Sequence, residues 1–413
     1  MQKEEFYSNA RTDLTGPLAG VRVLEITTTW AGPMCGTVLA DLGADVIKVE
    51  IPSGDVGRAL SPILPGTEVG FAHAMVNRNK RAMALDIRQP QGRDIVLKIA
   101  EQADILIENF KVGTMDRYQL GYEHICVVKP DIVYVSITGW GQFGPNHQAA
   151  GYDPLAQAAS GFLSVNGSPE GPPTKAGTFL ADDLGGLHGA IGAMAALRHR
   201  DQTGEGQLVD VALQDAMLFQ SNGLPTLGAL GVEPTRMGNE FGFAVPANVF
   251  ECQDGAVYVG VLLDAHWQIL APIIGEPDLA EHESFASREE RALNRDVCNM
   301  MLGAWLAERP RQEAITLLRE QGLPIAPVNT FVDAARDPHV LERDMLQPTD
   351  QYDGTSVPVT GPAAKFSRTP TRVRSGAPGL AQHNDEILNE LGIDAQTQEK
   401  LRAAGILPPL EQE

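Results

Sequence analysis

The sequence predicts an α/β fold, with a large domain built on a mainly parallel sheet of Rossmann-like βαβ units and a smaller α+β domain. Three observations predict it. Short apolar runs alternate with helical patterns through the first half of the chain, a hairpin pattern followed by helices breaks that alternation, and 413 residues with 43% hydrophobic content suffice to bury more than one core.

The alternation of strand-like and helical segments starts near the beginning of the sequence. Runs at 21–26 (VRVLEI) and 44–50 (ADVIKVE) enclose a helical stretch near Met34–Leu42. Runs of the same kind recur at 81–87 (RAMALDI), 103–108 (ADILIE), 131–137 (DIVYVSI) and 207–213 (QLVDVAL), and a helix is predicted to open at Pro90. Because strands separated by helices pair in parallel, this pattern predicts one mainly parallel sheet covered by helices.

The alternation of strand-like and helical segments ends after about residue 224. The segment NVFECQDGAVYVGV has the pattern of a β-hairpin that turns at Asp254-Gly255, and helical patterns extend from His266 to Gln321. We therefore predict a large domain of residues 1–224 and 326–413 and a small α+β domain at 225–325.

The composition limits the partners of the chain. It has 53 acidic and 32 basic residues, which give a formal net charge of −21. This charge repels nucleic acids and anionic membranes, so neither is expected as a partner, whereas an anionic small molecule remains compatible because local cations override a net field. No apolar run approaches the ~18 residues of a spanning helix and no secretory pattern is present, so a cytoplasmic location is expected.

Motifs for metal or phosphoryl chemistry are absent from the sequence. The four cysteines form no CxxC, the nine histidines show no ligand spacing, and neither HExxH, GxSxG nor a Walker A motif occurs. We therefore expect no metal site. Carboxylates are left as the candidate reactive groups.

A glycine-rich motif follows the strand predicted at 131–137. Residues 139–144 (GWGQFG) match GxGxxG, but the following PNHQ does not open a helix whose N-terminus would face a pyrophosphate, which argues against dinucleotide binding. Gly139 and Gly141 remain candidates for close approach of the backbone to a ligand.

The acidic pair Asp182-Asp183 lies where a loop joins a long helix. On the residues alone, a helix cap is the more common role for an aspartate at this position, and a reactive carboxylate is the alternative. Gly185, Gly186 and Gly189 follow directly and indicate that something packs closely there, as a bulky thioester would require.

Several segments together resemble the class III CoA transferases, which include formyl-CoA, carnitine-CoA and succinyl-CoA-dependent enzymes and are related to 2-methylacyl-CoA racemases. The resemblance rests on PLAGVRVLEITTTWAGPMCGTVLADLGADVIKVE, NRNKRAMALD, IENF, GYDPLAQAASG, GPPTKAGTFLADDLGGLHGAIGAMAAL and TGEGQLVDVAL, in the family's order. It implies that Asp182 is the nucleophile, that Asp183 caps the helix, and that His188 packs or supports the site.

The resemblance also implies the chemistry. Asp182 would attack an acyl-CoA to form an acyl-aspartyl anhydride, then an aspartyl-CoA thioester, and a carboxylic acid acceptor would collect the CoA. CoA is thus a substrate, and no permanently bound cofactor is expected. The CoA contacts that carry over are Trp30, Lys80, Asn109, Phe110 and Arg117; the glycine stretches at 139–144, with Gly139 and Gly141, and at 238–242 are candidate oxyanion donors.

Two alternatives to a CoA transferase are a 2-methylacyl-CoA racemase and a CoA-binding subunit of a hetero-oligomer. The racemases have a GHD motif where this sequence has Gly151-Tyr152-Asp153, and a tyrosine is a poor general base at neutral pH. A CoA-binding subunit of a hetero-oligomer should have lost the nucleophile, which is present here. Ile51-Pro52 and Thr138 replace an Arg and a Lys of relatives, which disfavours an oxalate enzyme.

The resemblance further implies an interlocked homodimer, with a hetero-oligomer as the alternative, and leaves the two exchanged acids open.

Overall fold

A computed structural model describes residues 1–60 and 62–409, and the chain divides into two compact units. The larger unit contains Met1–Phe162, Ala176–Thr226 and the chain from His339 onward, and the smaller unit contains Leu163–Lys175 and Leu227–Pro338. The boundaries 225 and 325 stay a prediction. The smaller unit extends beyond 325 because a strand at Ile325–Pro327 pairs with the hairpin of that unit.

The strands occur where the sequence has its apolar runs. They are β1 (Arg22–Ile26), β2 (Asp45–Glu50), β3 (Lys80–Ala84), β4 (Ile105–Glu108), β5 (Val133–Thr138), β6 (Gln207–Ala212), β7 (Ala247–Cys252), β8 (Gly255–Gly260), β9 (Ile325–Pro327), β10 (Leu346–Asp350) and β11 (Ser356–Thr360).

The helices connect and cover these strands. They are α1 (Lys3–Phe6), α2 (Ala31–Asp41), α3 (Phe71–Val76), α4 (Pro90–Ala100), α5 (Thr114–Arg117), α6 (Tyr122–Val128), α7 (Asp153–Ala159), α8 (Phe162–Val165), α9 (Leu180–Thr203), α10 (Leu213–Phe219), α11 (Leu224–Ala229), α12 (Asp264–Ile273), α13 (Arg288–Leu293), α14 (Arg295–Ala307), α15 (Arg311–Glu320), α16 (Phe331–Arg336), α17 (Pro338–Glu342), α18 (Asn384–Glu390) and α19 (Ala395–Ala403). In the described part of the chain, no helix has both the length and the apolar character needed to cross a membrane.

The larger unit is organised around one six-stranded sheet in the order β3-β2-β1-β4-β5-β6, with every pair parallel. This confirms the predicted mainly parallel sheet. The strands read as nearly continuous apolar runs because helices cover both faces of the sheet.

Alternate residues of each strand supply two separate cores. In β1, Leu24 and Ile26 pack with α4, α6, α18 and α19 on one face, and Val23 packs with α2, α9 and α10 on the other. This alternation follows from the two-residue period of a strand. The helix that carries the candidate nucleophile and the helix that follows β1 therefore lie on the same face.

The outer edge of the sheet is covered by the C-terminal part of the chain. Asn384 accepts from the backbone N–H of Ala84 at 2.9 Å and donates to its carbonyl at 3.2 Å, and the N–H of Ala82 donates to His383 Nδ1 at 3.1 Å. These contacts satisfy groups of β3 that an edge strand otherwise leaves open.

The strand order reverses between β1 and β4. β1 pairs with β2 on one side and with β4 on the other, while the chain continues from β2 to β3 before it returns. In open α/β sheets, ligands bind in the crevice at the carboxyl ends of the strands where the order reverses. The loops after β1 and β4 are therefore the first place to look for the site.

The smaller unit contains the antiparallel sheet β7-β8-β9 and the helices α12 to α15. Its core includes Trp267, and the fully buried Arg291 lies over that ring at 5.7 Å while donating to the Val245 carbonyl at 2.8 Å. Cys252 pairs with Gly255, so Gln253 and Asp254 form the hairpin turn. The turn lies one residue earlier than predicted because Gly255 belongs to the strand.

Candidate active site

Asp182 lies in the first turn of α9, which begins at Leu180. The helix therefore starts before both aspartates, and the expectation that Asp183 caps it is wrong. Asp153, at the start of α7, performs this role: its buried Oδ1 accepts the N–H of Ala181 at 2.8 Å, and Gln157 donates to its Oδ2 at 2.8 Å. A side chain from another helix satisfies the free N–H, so the helix needs no local cap.

Asp183 is held by Trp30. The indole Nε1–H of Trp30 donates to Asp183 Oδ1 at 2.7 Å, while the backbone N–H of Asp183 bonds the Phe179 carbonyl at 2.9 Å. Burial raises the pKa of Asp183, the hydrogen bond from Trp30 opposes that shift, and the nearby Asp153 adds to it. Asp183 is thus fixed in place and already engaged.

Asp182 has a different environment from its two acidic neighbours. Burial raises the pKa of Asp182 to about 7, and the charges of Asp153 and Asp183 push it in the same direction. Among the described residues, no hydrogen bond or cation lowers this pKa. At neutral pH the carboxylate therefore exists in comparable amounts with its protonated form, and within residues 1–60 and 62–409 no side chain or backbone group is hydrogen-bonded to its oxygens.

The glycines after Asp182 allow close packing of the helix itself. A Cβ added at Gly186 would lie 2.8 Å from Met34 Cβ and 2.9 Å from the Ala31 carbonyl oxygen, and one at Gly189 would lie 2.7 Å from Ile137 Cδ1. The small residues bring α9 against α2 and β5. The groups that pack closely on these glycines belong to the protein itself, so the glycines are explained without a bound thioester.

The loop between β1 and α2 holds Trp30 in position. Asn109, just after β4, accepts from the Thr28 N–H and donates to the Thr28 carbonyl, both at 2.9 Å. Asp55 Oδ1 accepts from the Thr29 N–H at 3.0 Å and from Thr28 Oγ1 at 2.8 Å. The loop is thus fixed from both sides at the point where the strand order reverses. Asn109 was predicted to contact CoA, but its side-chain amide is hydrogen-bonded to this loop.

Lys80, a second predicted CoA contact, is buried among groups of β1, α2 and α3. Its ammonium lies 2.7 Å from Glu25 Oε2 and donates to the carbonyls of Pro33 at 2.8 Å and Val76 at 2.7 Å. Burial lowers the pKa of Lys80 to about 8, and the charge of Glu25 opposes the shift. This arrangement favours a structural role for Lys80 over a direct phosphate contact.

Phe110 and Arg117 lie on the open side of the β4 end. Phe110 lines a cleft of about 240 Å³ together with Asn109 and Gly139. Arg117 is exposed, and its guanidinium donates to Thr114 Oγ1 at 3.1 Å. Lys111 is also exposed and lines this cleft and a neighbouring one of about 200 Å³. Lys111 was not among the residues predicted from the sequence, although a basic residue three positions after the end of a buried strand is a usable signal.

The candidate glycines of the motif at 139–144 are constrained by contacts within the protein. Gly139 packs against Gly151, where an added Cβ would lie 2.5 Å from the Gly151 Cα. Gly141 has a φ of +83°, and its N–H donates to Thr138 Oγ1 at 2.9 Å. The close approach and the positive φ account for both glycines as turn residues, and the Gly141 N–H is not open to an oxyanion. In the smaller unit, the Gly238 N–H donates to the Gly167 carbonyl at 3.2 Å.

The structure thus brings Asp182 and Trp30 to one end of α9 and places Asn109, Phe110 and Gly139 along one cleft. Asp153 was missed as a site residue, although it stands in the Gly-Tyr-Asp segment that the sequence analysis had examined for its tyrosine. Within residues 1–60 and 62–409, no group of His, Cys, Asp and Glu side chains has the arrangement of a metal site.

Comparison with known proteins decides the family. Residues 18–384 match the family model described as CoA-transferase family III. The chain belongs to this family. It is therefore a CoA-transferase, an enzyme whose substrates are CoA thioesters and carboxylic acids, as the sequence resemblance predicted.

Relatives of this CoA-transferase match along nearly their whole length. It is 36% identical to a succinyl-CoA:mesaconate CoA-transferase of Haloarcula hispanica, over 92% of this chain and 98% of the relative. It is 34% identical to the β subunit of a succinyl-CoA–L-malate CoA-transferase of Chloroflexus aurantiacus, over 92% and 95%. A crystal structure of a CaiB/BaiF family protein from Brucella suis superimposes with a TM-score of 0.82 at 34% identity and covers 91% of this chain and 100% of that one.

Proposed function

We propose that this CoA-transferase moves CoA from succinyl-CoA to a carboxylic acid through covalent intermediates on Asp182. The observation that supports it is the state of three neighbouring carboxylates: Asp153 and Asp183 are engaged by Ala181 and Trp30, whereas Asp182 is partly buried and free of hydrogen bonds from the described residues. The succinyl-CoA-dependent relatives support the choice of donor.

The proposed reaction has four steps. An Asp182 oxygen attacks the thioester carbonyl, the C–S bond breaks, and CoA thiolate leaves an acyl-aspartyl anhydride. The thiolate then attacks the Asp182 carbonyl carbon and releases the donor acid as its carboxylate, which leaves an aspartyl-CoA thioester. The acceptor carboxylate then attacks the aspartyl-CoA thioester and displaces the CoA thiolate, which leaves an anhydride between the acceptor and Asp182. In the last step the thiolate attacks the acyl carbon of the acceptor and forms the new CoA thioester. Asp182 is regenerated, and no net proton is taken up or released.

The burial that raises the pKa of Asp182 also supports its role as a nucleophile. A carboxylate with little hydration has few bonds to water to lose when it attacks the thioester. Both intermediates are open to hydrolysis, so a site with little water conserves the energy of the thioester in the exchange.

The exposed cations after β4 are suited to the phosphates of CoA. We assign Lys111 and Arg117 to this role because both are exposed, whereas Lys80 is enclosed by Glu25 and backbone carbonyls. Phe110, which lines the adjacent cleft, supplies an aromatic surface for the adenine. Asn109 contributes indirectly by fixing the loop that carries Trp30, and Lys80 by holding Glu25 of β1 and the Pro33 carbonyl of α2.

We further propose that the protein works as an interlocked homodimer, as the family resemblance implied. The mass of the purified chain by light scattering tests this, since a monomer would contradict it. A second, different subunit remains the alternative, because one relative is a β subunit. Activity of the purified chain by itself would argue against that alternative.

The decisive experiment is intact mass after mixing the protein with succinyl-CoA and trapping with hydroxylamine. We expect an adduct in the wild type and in Asp183→Asn but not in Asp182→Asn, with a loss of CoA exchange by a factor of about 10³ or more in the last. An adduct that survives Asp182→Asn would contradict the assignment of the nucleophile. Exchange of an α-proton with solvent, with no adduct at all, would support the racemase alternative.

A further inference from the structure

The cleft of about 240 Å³ in the larger unit lies at the carboxyl ends of β4 and β5. The rings of Phe110, Trp140 and Tyr152 line it, together with small apolar side chains such as Ala149. Aromatic rings stack on the flat face of a base, whereas a phosphate gains nothing from them. The lining therefore suits a nucleobase, which in the proposed function is the adenine of CoA.

Several polar side chains of this cleft are already hydrogen-bonded within the protein. The Asn109 amide holds the loop after β1, and the Trp140 Nε1–H donates to the Ala150 carbonyl at 3.0 Å. Thr138 Oγ1 accepts the Gly141 N–H at 2.9 Å. A base that stacks in the cleft must therefore be recognised by another group.

Three polar side chains of the cleft remain, namely those of Lys111, His147 and Tyr152. The ammonium of Lys111 is suited to phosphate, as assigned above. The hydroxyl of Tyr152 both donates and accepts, so it does not distinguish one base edge from another. His147 differs from both because one of its ring nitrogens is fixed by the protein.

The Gly144 carbonyl sets the position of the proton on the His147 ring. Nδ1 lies 2.8 Å from this oxygen, which can only accept, so Nδ1 carries the hydrogen. In the neutral ring, Nε2 then holds a lone pair and acts as an acceptor. In the part of the chain that the structure describes, no donor is bonded to Nε2. The cleft thus presents one acceptor of fixed identity.

The edge of adenine carries the group that matches this acceptor. Its 6-amino group donates hydrogen bonds, whereas hypoxanthine, which has the same ring shape, carries an accepting carbonyl oxygen at that position. An accepting oxygen that faced Nε2 would leave both groups without a donor. Phosphate oxygens would face the same mismatch.

We infer that His147 Nε2 accepts a hydrogen bond from the 6-amino group of the CoA adenine and thereby makes the enzyme selective for adenine over hypoxanthine. The inference rests on the proposed function and names a specificity-determining residue for the same substrate. Phe110 then holds the face of the base, and His147 recognises its edge.

Two donors that differ only in the base test this inference. Succinyl-CoA carries adenine, and succinyl-desamino-CoA carries hypoxanthine, which stacks on Phe110 equally well. At pH 8, where Asp182 is ionised, we expect kcat/KM to be about tenfold higher for succinyl-CoA, with the difference in KM. Equal values for the two donors would overturn the inference.

Variants of His147 locate the preference. The amide of a glutamine can turn either its oxygen or its NH₂ group toward the base, so His147→Gln should accept both donors and bring the ratio of kcat/KM to about one. His147→Phe keeps a ring but removes the acceptor, and should lower kcat/KM for succinyl-CoA by about tenfold while sparing the hypoxanthine donor. A ratio that stays at the wild-type value in both variants would contradict the inference.

His199→Gln is the matched control. His199 is half-exposed near the end of α9, about 25 Å along the helix from Asp182, and should leave the ratio unchanged. A drop in the ratio as large as that of His147→Gln would contradict the assignment to His147.

The outcomes separate this inference from the proposed function. Should the wild type form the Asp182 adduct with succinyl-CoA yet use both donors equally, the assignment of His147 alone is wrong. Should no adduct form, the proposed mechanism is wrong, and calorimetric titration with CoA and with desamino-CoA still tests His147 without the reaction. Tighter binding of CoA by the wild type supports the inference even where a variant fails to fold, and equal binding overturns it.

Discussion

At the scale of single residues, three carboxylates of one chemical type have three states. Asp153 accepts bonds from Ala181 and Gln157, Asp183 accepts one from Trp30, and Asp182 is left without such a partner among the described residues. The difference comes from neighbours that are distant in sequence. The residue pattern singled out the acidic pair and the family resemblance named Asp182, but which carboxylate is free of hydrogen bonds depends on contacts made after folding.

The pKa of Asp182 predicts the pH dependence of CoA transfer. Because the attacking form is the carboxylate and its pKa is raised to about 7, kcat/KM should rise with pH through about 7 and level off above it. Below that value it should fall about tenfold per pH unit. Initial rates with succinyl-CoA from pH 5.5 to 9 measure this.

A variant of the neighbouring carboxylate checks the cause of that shift. Asp183→Asn removes a like charge beside Asp182, so the rising limb of the profile should move to lower pH. A profile that is flat from pH 5.5 upward in the wild type would show that the ionisation of Asp182 does not limit the rate.

Trp30→Phe tests the hydrogen bond that holds Asp183. The substitution keeps a ring but removes the Nε1–H, which leaves the partly buried Asp183 without its donor. We expect the free energy of unfolding to fall by about 1–3 kcal/mol. Urea unfolding at pH 8 measures this, and Trp140→Phe is the control.

The control removes a similar hydrogen bond at an exposed place. Trp140 Nε1 donates to the Ala150 carbonyl at 3.0 Å, where water can replace it. Its loss should cost about 0.5–1 kcal/mol. Equal losses in the two variants would mean that the Asp183 carboxylate does not depend on Trp30.

At the scale of elements, the strands were predictable and the start of α9 was not. A strand covered on both faces has a nearly continuous apolar run, and the sequence shows such runs at the strands of the main sheet, interrupted by single charged residues such as Glu25 in β1 and Lys48 in β2. The helix starts at Leu180 because Asp153, in a different helix, satisfies the N–H of Ala181. Sequence patterns read neighbours along the chain, so a cap supplied from α7 is not visible to them.

The predicted CoA contacts show the same limit. Lys80 and Arg117 are both basic residues and look alike as phosphate ligands in the sequence, yet the ammonium of Lys80 is enclosed and the guanidinium of Arg117 is exposed. Exposure depends on the assembled fold. Lys111 was accessible to sequence reasoning, because its position directly after Phe110 and the end of β4 predicts an open location.

Gly186→Ala tests the packing of α9 against α2. The new methyl group would lie under 3 Å from Met34 Cβ and from the backbone oxygen of Ala31, so one helix must move. We expect the free energy of unfolding to fall by about 1–3 kcal/mol, measured by denaturant titration.

A second glycine-to-alanine variant separates packing from helix propensity. Gly228 lies in α11, and an added Cβ there meets nothing within 4 Å. Gly228→Ala should therefore leave stability unchanged or raise it by up to about 1 kcal/mol. A gain in stability from Gly186→Ala as well would show that α9 and α2 are not in tight contact.

At the scale of the whole molecule, a buried group of charges joins three strands of the main sheet. Glu25 of β1 lies 3.2 Å from Lys48 of β2 and 2.7 Å from Lys80 of β3, and Lys48 also contacts Asp55 at 3.0 Å. Despite burial, the charges of Glu25 and Asp55 hold the pKa of Lys48 above its usual value. The group also fixes the loop that Asp55 holds, and so connects the sheet to the position of Trp30.

Lys48→Met tests this group. Removing one cation leaves Glu25 and Asp55 with less compensation in a buried place, which should lower the free energy of unfolding by about 3–5 kcal/mol. Arg11→Met is the control, because the Arg11–Asp13 pair is exposed and its loss should leave the free energy of unfolding nearly unchanged. Similar losses in both variants, compared by denaturant midpoints, would contradict the importance of the buried group.

The cover that His383 and Asn384 place over β3 has a consequence for the chain as it leaves the ribosome. The six strands of the sheet are complete by residue 212, yet the segment that protects the edge, with α18 and α19 over one face, is translated about 170 residues later. Until then the nascent sheet exposes an unpaired edge and apolar side chains such as those that contact Leu388. Premature termination before Asn384 should therefore yield insoluble protein rather than a weakened enzyme.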